Sequence, residues 1–104
     1  MNVVTDKEYY DEVEKSAFPI VVIFSSLFCP SCQVMSSIYD ELEEERKHYI
    51  TFIKINIEES EEVKNIFGVS DIPTIAIVIE GEPCAVFKGF APKNILEDTI
   101  DLFC

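Results

Sequence analysis

Two of the four cysteines stand three positions apart in Phe28-Cys29-Pro30-Ser31-Cys32, where an apolar run gives way to a long amphipathic stretch. That spacing admits three chemistries. Just ahead of a helix, the unpaired N–H groups and the positive end of the dipole favour a thiolate, lowering a free thiol's pKa of about 8.5 by one to several units. The leading Cys29 is then a nucleophile, and Cys32, one turn along and deeper, can displace a partner bound to it, so the pair can cycle between dithiol and disulfide. In this arrangement Cys29 is expected to be exposed and Cys32 sheltered. The same spacing is half of a zinc site, but Cys84 and Cys104 are far off in sequence and His48 stands alone, which disfavours metal. Two buried cysteines that merely fill core are the third reading.

Such a pair needs a strand to deliver it and a helix to receive it. Ile20 to Phe24 is a continuous apolar, β-rich run, the mark of a strand covered on both faces. From Pro30 to about Lys47, the residues Val34, Met35, Ile38, Tyr39 and Leu42 recur three and four apart, while Asp40, Glu41 and Glu43 to Lys47 fill the other face of a long helix. Upstream, Thr5-Asp6-Lys7-Glu8 is a capping-box pattern, and Tyr9, Tyr10, Val13 and Ala17 predict a helix from Asp6 to Ala17, closed by Pro19. Downstream, Ile50 to Ile57 reads as a strand, and Ser60 as the cap of a short helix over Glu61 to Phe67 that stops at Gly68. Thr74 to Ile79 is again wholly apolar, hence a central strand. Glu80-Gly81-Glu82-Pro83 turns into Cys84 to Lys88, and the proline confines that strand to the sheet's rim. Pro92 with Ile95, Leu96, Ile100 and Phe103 gives a last helix, and Asn2 to Val4 can add a short leading strand. Strands alternating with helices, then a hairpin, describe an α/β fold with a mixed sheet between two helical layers.

The chain of 104 residues, 48% hydrophobic and 27% charged, suits one domain spanning residues 1–104 with a substantial core. No apolar run approaches the roughly 20 residues of a membrane-spanning helix, and Met-Asn-Val-Val-Thr-Asp-Lys-Glu turns polar too soon for a secretion signal, so a cytoplasmic protein without membrane partners is expected. Eight Lys plus Arg against twenty Asp plus Glu give a net charge of −12, a field that repels phosphate backbones and argues against nucleic acid. The clusters Glu43-Glu44-Glu45 and Glu58-Glu59-Ser60-Glu61-Glu62 read as solvated helix faces and helix starts. In a reducing compartment four cysteines do not make a disulfide scaffold.

Further landmarks come after the cysteine pair in order. These are Lys54 within Phe52-Ile53-Lys54-Ile55-Asn56-Ile57, the segment Gly68-Val69-Ser70-Asp71-Ile72-Pro73-Thr74, Gly81-Glu82 at the hairpin, and Phe87-Lys88-Gly89-Phe90 before the last helix. Together with Cys29-Pro30-Ser31-Cys32 they resemble the thioredoxin family over essentially the whole length. The resemblance implies the thioredoxin fold, a mixed central β-sheet flanked by helices on both faces, with a cis Pro73 facing the cysteines and Lys54 beneath them. It implies a thiol-disulfide oxidoreductase that reduces protein disulfides: Cys29 attacks, Cys32 releases the product, and Pro30, Ser31, Lys54 and Pro73 support them. Phe28, Ile72, Pro73, Gly89, Phe90 and Ala91 would form the rim on which disulfide-containing substrate proteins dock. A reductase would supply electrons to a monomer, and the chemistry calls for no metal or organic cofactor.

The chain also departs from the family. Phe28 stands for a Trp and Pro30-Ser31 for Gly-Pro. Cys-Pro-Ser-Cys is closer to glutaredoxin-type dipeptides, so a glutathione-linked oxidoreductase is one alternative, weakened because Ile72-Pro73-Thr74 has the thioredoxin form and no Gly-Gly comes after it. A redox-silent binding module using the same groove is the other. The family's buried Asp, six residues before the first cysteine, is Ile23 here, which removes the expected proton acceptor for the resolving thiol. Lys54 thereby loses its partner and reads equally well as a lysine snorkelling to solvent. Ser25 replaces a second Trp, and Ser36-Ser37 stands where a Pro kinks the long helix. Cys84 and Cys104 have no counterpart role. Similar path lengths along the rim strand and the last helix bring both to the pole opposite Cys29, where reduced bystanders are expected; a mutual disulfide would require Cα atoms within about 7 Å.

Overall fold

In the computed structural model, which describes residues Met1–Cys104, the chain runs β1 (Asn2–Val4), α1 (Asp6–Lys15), β2 (Ile20–Ser25), α2 (Pro30–Arg46), β3 (Thr51–Asn56), α3 (Glu61–Ile66), β4 (Thr74–Ile79), β5 (Glu82–Lys88) and α4 (Lys93–Phe103). The sheet order is β1-β3-β2-β4-β5. β1 and β2 flank β3 in parallel, whereas β4 runs antiparallel to β2 and β5 antiparallel to β4.

Alternation along the central strands sorts the core into two layers. Ile20, Val22, Phe24, Ile53, Ile55, Ala76 and Val78 face Tyr9 of α1, Val63 of α3 and Phe67. Val21, Ile23, Phe52, Ile75 and Ile77 face Met35, Tyr39 and Leu42 of α2 and Leu96 and Ile100 of α4. Every residue of β2 is buried. Removing a Val, Ile or Phe side chain from water contributes about 1.5–3 kcal/mol, so a strand with no polar face is stable only under helices on both sides. The hairpin is a two-residue turn, with Glu80 at φ 52° and Gly81 at φ 80°, and Pro83 lies on the free edge of β5 where no partner strand needs its missing N–H.

Two boundaries differ from the sequence reading for a tertiary reason. α1 ends at Lys15 rather than Ala17: Ser16 turns extended, its hydroxyl donates to the Phe18 carbonyl and meets Thr51 Oγ1 at 3.1 Å. Ser60 does not cap α3; its hydroxyl donates instead to the Val4 carbonyl. The α3 N–H groups are taken by Asp6 at the start of α1, which accepts from Val63 at 2.9 Å and from Glu62 at 3.4 Å. The other elements lie within two residues of their expected bounds, with β5 starting earlier, at Glu82.

On the opposite layer, α2 and α4 are held side by side by ionic contacts. The buried Arg46 guanidinium reaches both oxygens of Asp101 and one of Glu97, and Lys93 lies 2.7 Å from Glu45 and 3.3 Å from Glu41. The bond from Lys93 holds the Glu45 carboxyl below its ordinary range, so this link is complete at neutral pH and is lost as acid takes the pH below the ordinary carboxylate value towards the depressed one. Tyr39 of α2 makes a further tie, donating its hydroxyl to the Gly89 carbonyl at 2.7 Å just beyond β5. Burial pushes that phenol well above its usual range, so it stays a donor at any physiological pH. Tyr39→Phe leaves the Gly89 carbonyl without its buried donor and is expected to lower unfolding stability by about 1–3 kcal/mol, measured by chemical denaturation; an unchanged midpoint would show that water replaces the hydroxyl.

Candidate active site

β2 ends at Ser25, and four residues later Cys29 is the N-cap of α2, with extended backbone and Pro30 at the first helical position. A proline there costs no hydrogen bond, because the first helical N–H groups have no partner within the helix, and its fixed φ starts the helix. The four-residue link is braced by a side chain from the neighbouring strand's exit. Ser26 Oγ accepts from the Phe28 N–H at 3.1 Å and donates to Glu58 Oε1 at 2.6 Å, while the Cys29 N–H donates to the Ser26 carbonyl.

Cys29 and Cys32 are joined as a disulfide, their Cα atoms 5.2 Å apart. Cys29 Sγ also accepts the Cys32 N–H at 3.1 Å and lies 3.2 Å from the Ser31 hydroxyl. Both donors favour negative charge on that sulfur, and α2 has no acidic residue in its first turn to oppose it. The expected contrast between an exposed and a sheltered cysteine is not found in this state: Cys29 is 8% and Cys32 6% exposed. Cys29 Sγ lies over the helix end, between the Ser31 hydroxyl at 3.2 Å and the Ile72 carbonyl at 4.0 Å.

That carbonyl belongs to the second half of the site. The Ile72–Pro73 bond is cis, Pro73 is buried, and its own carbonyl accepts the Gly89 N–H at 2.9 Å. Gly89 fits because it has no side chain: a Cβ would come within 2.6 Å of the Tyr39 hydroxyl and 3.2 Å of the Pro73 carbonyl carbon. Around this buried centre stand exposed apolar residues, Phe28 at 85%, Leu27 at 73% and Phe90 at 58% exposure, with Ala91 half-buried. Lys54 does not join the cluster through any polar contact. It is half-buried directly opposite Ile23 in the β2–β3 register, and it makes neither an ion pair nor a hydrogen bond. No group of three or more His, Cys, Asp or Glu side chains converges anywhere in the fold.

A disulfide at a helix start, facing a cis-proline segment on the adjacent strand, is where the comparisons bear. The family described as Thioredoxin matches residues 1–102. The chain belongs to the thioredoxin family. It is 34% identical to the thioredoxin of Rickettsia felis, covering 96% of this chain and 95% of that one, and 33% identical to that of Rickettsia prowazekii, covering 97% and 96%. With thioredoxin 1 of Synechococcus elongatus it shares 30% identity over 94% of this chain and 92% of the relative. Thioredoxins act on disulfide-containing substrates and are returned to the dithiol by a reductase, and this chain is a thiol-disulfide oxidoreductase of that family.

Three residues of the site escaped the reading from sequence. Ser26 and Glu58 come just after two parallel neighbours, β2 by one residue and β3 by two, so their proximity was implicit in the strand order although Glu58 looked like one acid in a solvated cluster. Tyr39 sat in an aliphatic stripe, where the presence of a phenol was itself the signal, since a buried hydroxyl needs a partner.

Ile23 is 1% exposed and pairs with Lys54 in the β2–β3 register, six residues before Cys29, where the family resemblance leads one to expect a buried acid. Ile23→Asp is expected to lower stability by several kcal/mol while speeding the breakdown of a mixed disulfide near neutral pH. Denaturation and rapid-quench kinetics read the two effects. A folded variant with no kinetic gain would mean that protons already leave by another route.

Proposed function

We propose that the chain reduces protein disulfides, with Cys29 as the attacking thiol and Cys32 as the resolving one. The observation that carries this reading is the bonded Cys29–Cys32 pair at the start of α2, beside the Ile72 carbonyl. In the reduced protein, the Cys29 thiolate attacks a substrate disulfide, expels one substrate thiolate and holds the other sulfur in a mixed disulfide. Cys32 then loses its proton, attacks Cys29 Sγ and expels the second substrate thiolate. The substrate has gained two electrons and two protons, and the enzyme is left as the disulfide, which a reductase reopens.

The contacts support the following roles for the neighbouring groups. The Cys32 N–H and the Ser31 hydroxyl stabilise charge on Cys29, and Pro30 fixes the helix start that presents them. Ile72 and Pro73 offer backbone to an extended substrate segment, and Phe28, Gly89, Phe90 and Ala91 make the apolar and backbone rim around it. Lys54 stands as the cation nearest the position of Ile23 in the strand register, a long-range support for thiolate rather than a contact. We read residues 1–104 as one domain acting as a monomer in the cytoplasm; the single sheet with its two core layers supports the first part.

Reduction of a disulfide-bonded test protein by dithiothreitol is expected to be accelerated by the protein and not by Cys29→Ser. Cys32→Ser is expected to accumulate a mixed disulfide on Cys29, seen by intact mass. Alkylation of the reduced protein tracked against pH should show Cys29 reacting at lower pH than Cys32, and equal reactivity would overturn the assignment of roles. Supplying glutathione and its reductase instead of dithiothreitol tests the glutathione-linked alternative, which predicts the faster turnover under those conditions.

A further inference from the structure

Leu27 and Phe28 are 73% and 85% exposed, and neither packs into a core layer, so burial does not fix the turn that carries them between β2 and α2. Hydrogen bonds do. The Cys29 N–H donates to the Ser26 carbonyl at 3.3 Å and closes the turn, and inside it the Ser26 hydroxyl oxygen accepts the Phe28 N–H at 3.1 Å. Both bonds end on Ser26, which is itself 6% exposed.

What holds Ser26 comes from the neighbouring strand. Ser25 pairs with Asn56 at the end of the β2–β3 ladder, and the Ile57 N–H extends the ladder by donating to the Ser25 carbonyl at 3.0 Å. Beyond it β3 turns tightly on Asn56, whose side-chain oxygen accepts the Glu58 N–H and whose carbonyl accepts the Glu59 N–H, each at 3.0 Å. Glu58 is thereby set beside Ser26, and its carboxylate accepts the Ser26 hydroxyl at 2.6 Å. A serine hydroxyl has one proton; once that proton goes to a carboxylate, the oxygen's lone pairs are left for the Phe28 N–H. The order is therefore fixed, from the Phe28 N–H to Ser26 and from Ser26 to Glu58.

We propose that Ser26 and Glu58 are positioning residues that make the site select protein disulfides over small ones, an inference that rests on Cys29 being the attacking thiol. Their bond keeps the Leu27–Phe28 turn ordered before a substrate arrives, so a protein surface that covers both side chains loses little freedom in docking on them. Aromatic side chains held in this way are the usual anchors of a protein contact. A small disulfide reaches the sulfur without covering either residue and gains nothing from the brace. The reactivity of the sulfur is set elsewhere, by the Cys32 N–H and the Ser31 hydroxyl, and neither of these contacts involves Ser26 or Glu58.

The test mixes the reduced protein with a disulfide-bonded test protein or with neutral hydroxyethyl disulfide and follows its oxidation against substrate concentration by acid quench and alkylation. Glu58→Ala, a change at an exposed residue, is expected to raise the half-saturating concentration of the test protein about tenfold, the scale of one charge-assisted hydrogen bond, with the limiting rate kept. The ratio of its efficiency on the protein to that on hydroxyethyl disulfide falls by the same factor. Ser26→Ala is expected to match it, and the double variant to be no worse than either, because the two residues act through one bond. Glu58→Gln, whose amide oxygen still accepts from Ser26, is expected to recover most of the loss, and the pH profile of Cys29 alkylation to stay in place throughout. An unchanged ratio, additive losses, a shifted alkylation profile, or Glu58→Gln as impaired as Glu58→Ala would overturn the proposal, the last by showing that the charge of Glu58 acts on the partner directly. If Cys29→Ser oxidised as fast as the unaltered protein, the reading of Cys29 would fail instead, so the two failures are distinct.

Discussion

β2 has no face that tolerates water, and the rest of the architecture answers that constraint. Six residues without a solvent side can be satisfied only at the centre of a sheet with helices on both faces, which fixes α1 and α3 on one side and α2 and α4 on the other. Its two neighbours run in opposite senses. β3 leaves the sheet at the same end as β2, whereas β4 begins there, with Thr74 paired to Phe24. The segment leaving β2 and the segment entering β4 must therefore meet. The first is the link to Cys29, the second is Ile72–Pro73, and the proposed redox centre is the place where they touch.

Meeting is not yet alignment, and the alignment comes from polar groups that had to find partners. The Ser26 hydroxyl, between the Phe28 N–H and the Glu58 carboxylate, sets the path of the link to Cys29. Tyr39 does the corresponding work on the far side by holding Gly89, whose N–H in turn fixes Pro73. The Ser26–Glu58 and Tyr39–Gly89 bonds join residues 32 and 50 positions apart. The site is thus clamped from both sides by bonds that a mutation in either helix layer or loop could release.

The same distinction separates what was legible in the sequence from what was not. β2, α2 and β4 could be read closely because burial imposes a period, or the lack of one, on consecutive residues. The capping box of α1 was legible for a similar reason: its two partners, Thr5 and Glu8, lie within one turn. The end of α1, the capping of α3 by Asp6 instead of Ser60, and the brace of Ser26 on Glu58 were not, since each depends on a partner brought near only by the completed sheet. In the candidate site, the cysteine pair and the Ile72-Pro73 segment could be singled out from motif and resemblance, while Tyr39 could not be told from its aliphatic neighbours without knowing what its hydroxyl would face. The near-equal burial of Cys29 and Cys32, seen here in the bonded pair, depends on how the Ile72–Pro73 segment covers the helix start and was likewise not legible.

Charge acts on this site at two ranges. The net charge of −12 would oppose any further anion, yet the acids of α2 lie mostly in its second half. Glu43 is thirteen residues past Pro30, about 20 Å at roughly 1.5 Å per residue, against a screening length of about 8 Å in physiological salt. The groups that bear on Cys29 Sγ are local: the Cys32 N–H, the Ser31 hydroxyl and the start of the helix. On the reading that Cys29 attacks, the distant acids leave its reactivity almost untouched and act instead on partners before contact, drawing basic surfaces in and slowing acidic ones. On the same reading, contact falls to the exposed apolar surface of Leu27, Phe28 and Phe90, which is indifferent to charge. On that reading selection by field and selection by contact would be carried by different residues, and the acids in the second half of α2 could change without altering the chemistry at the sulfur.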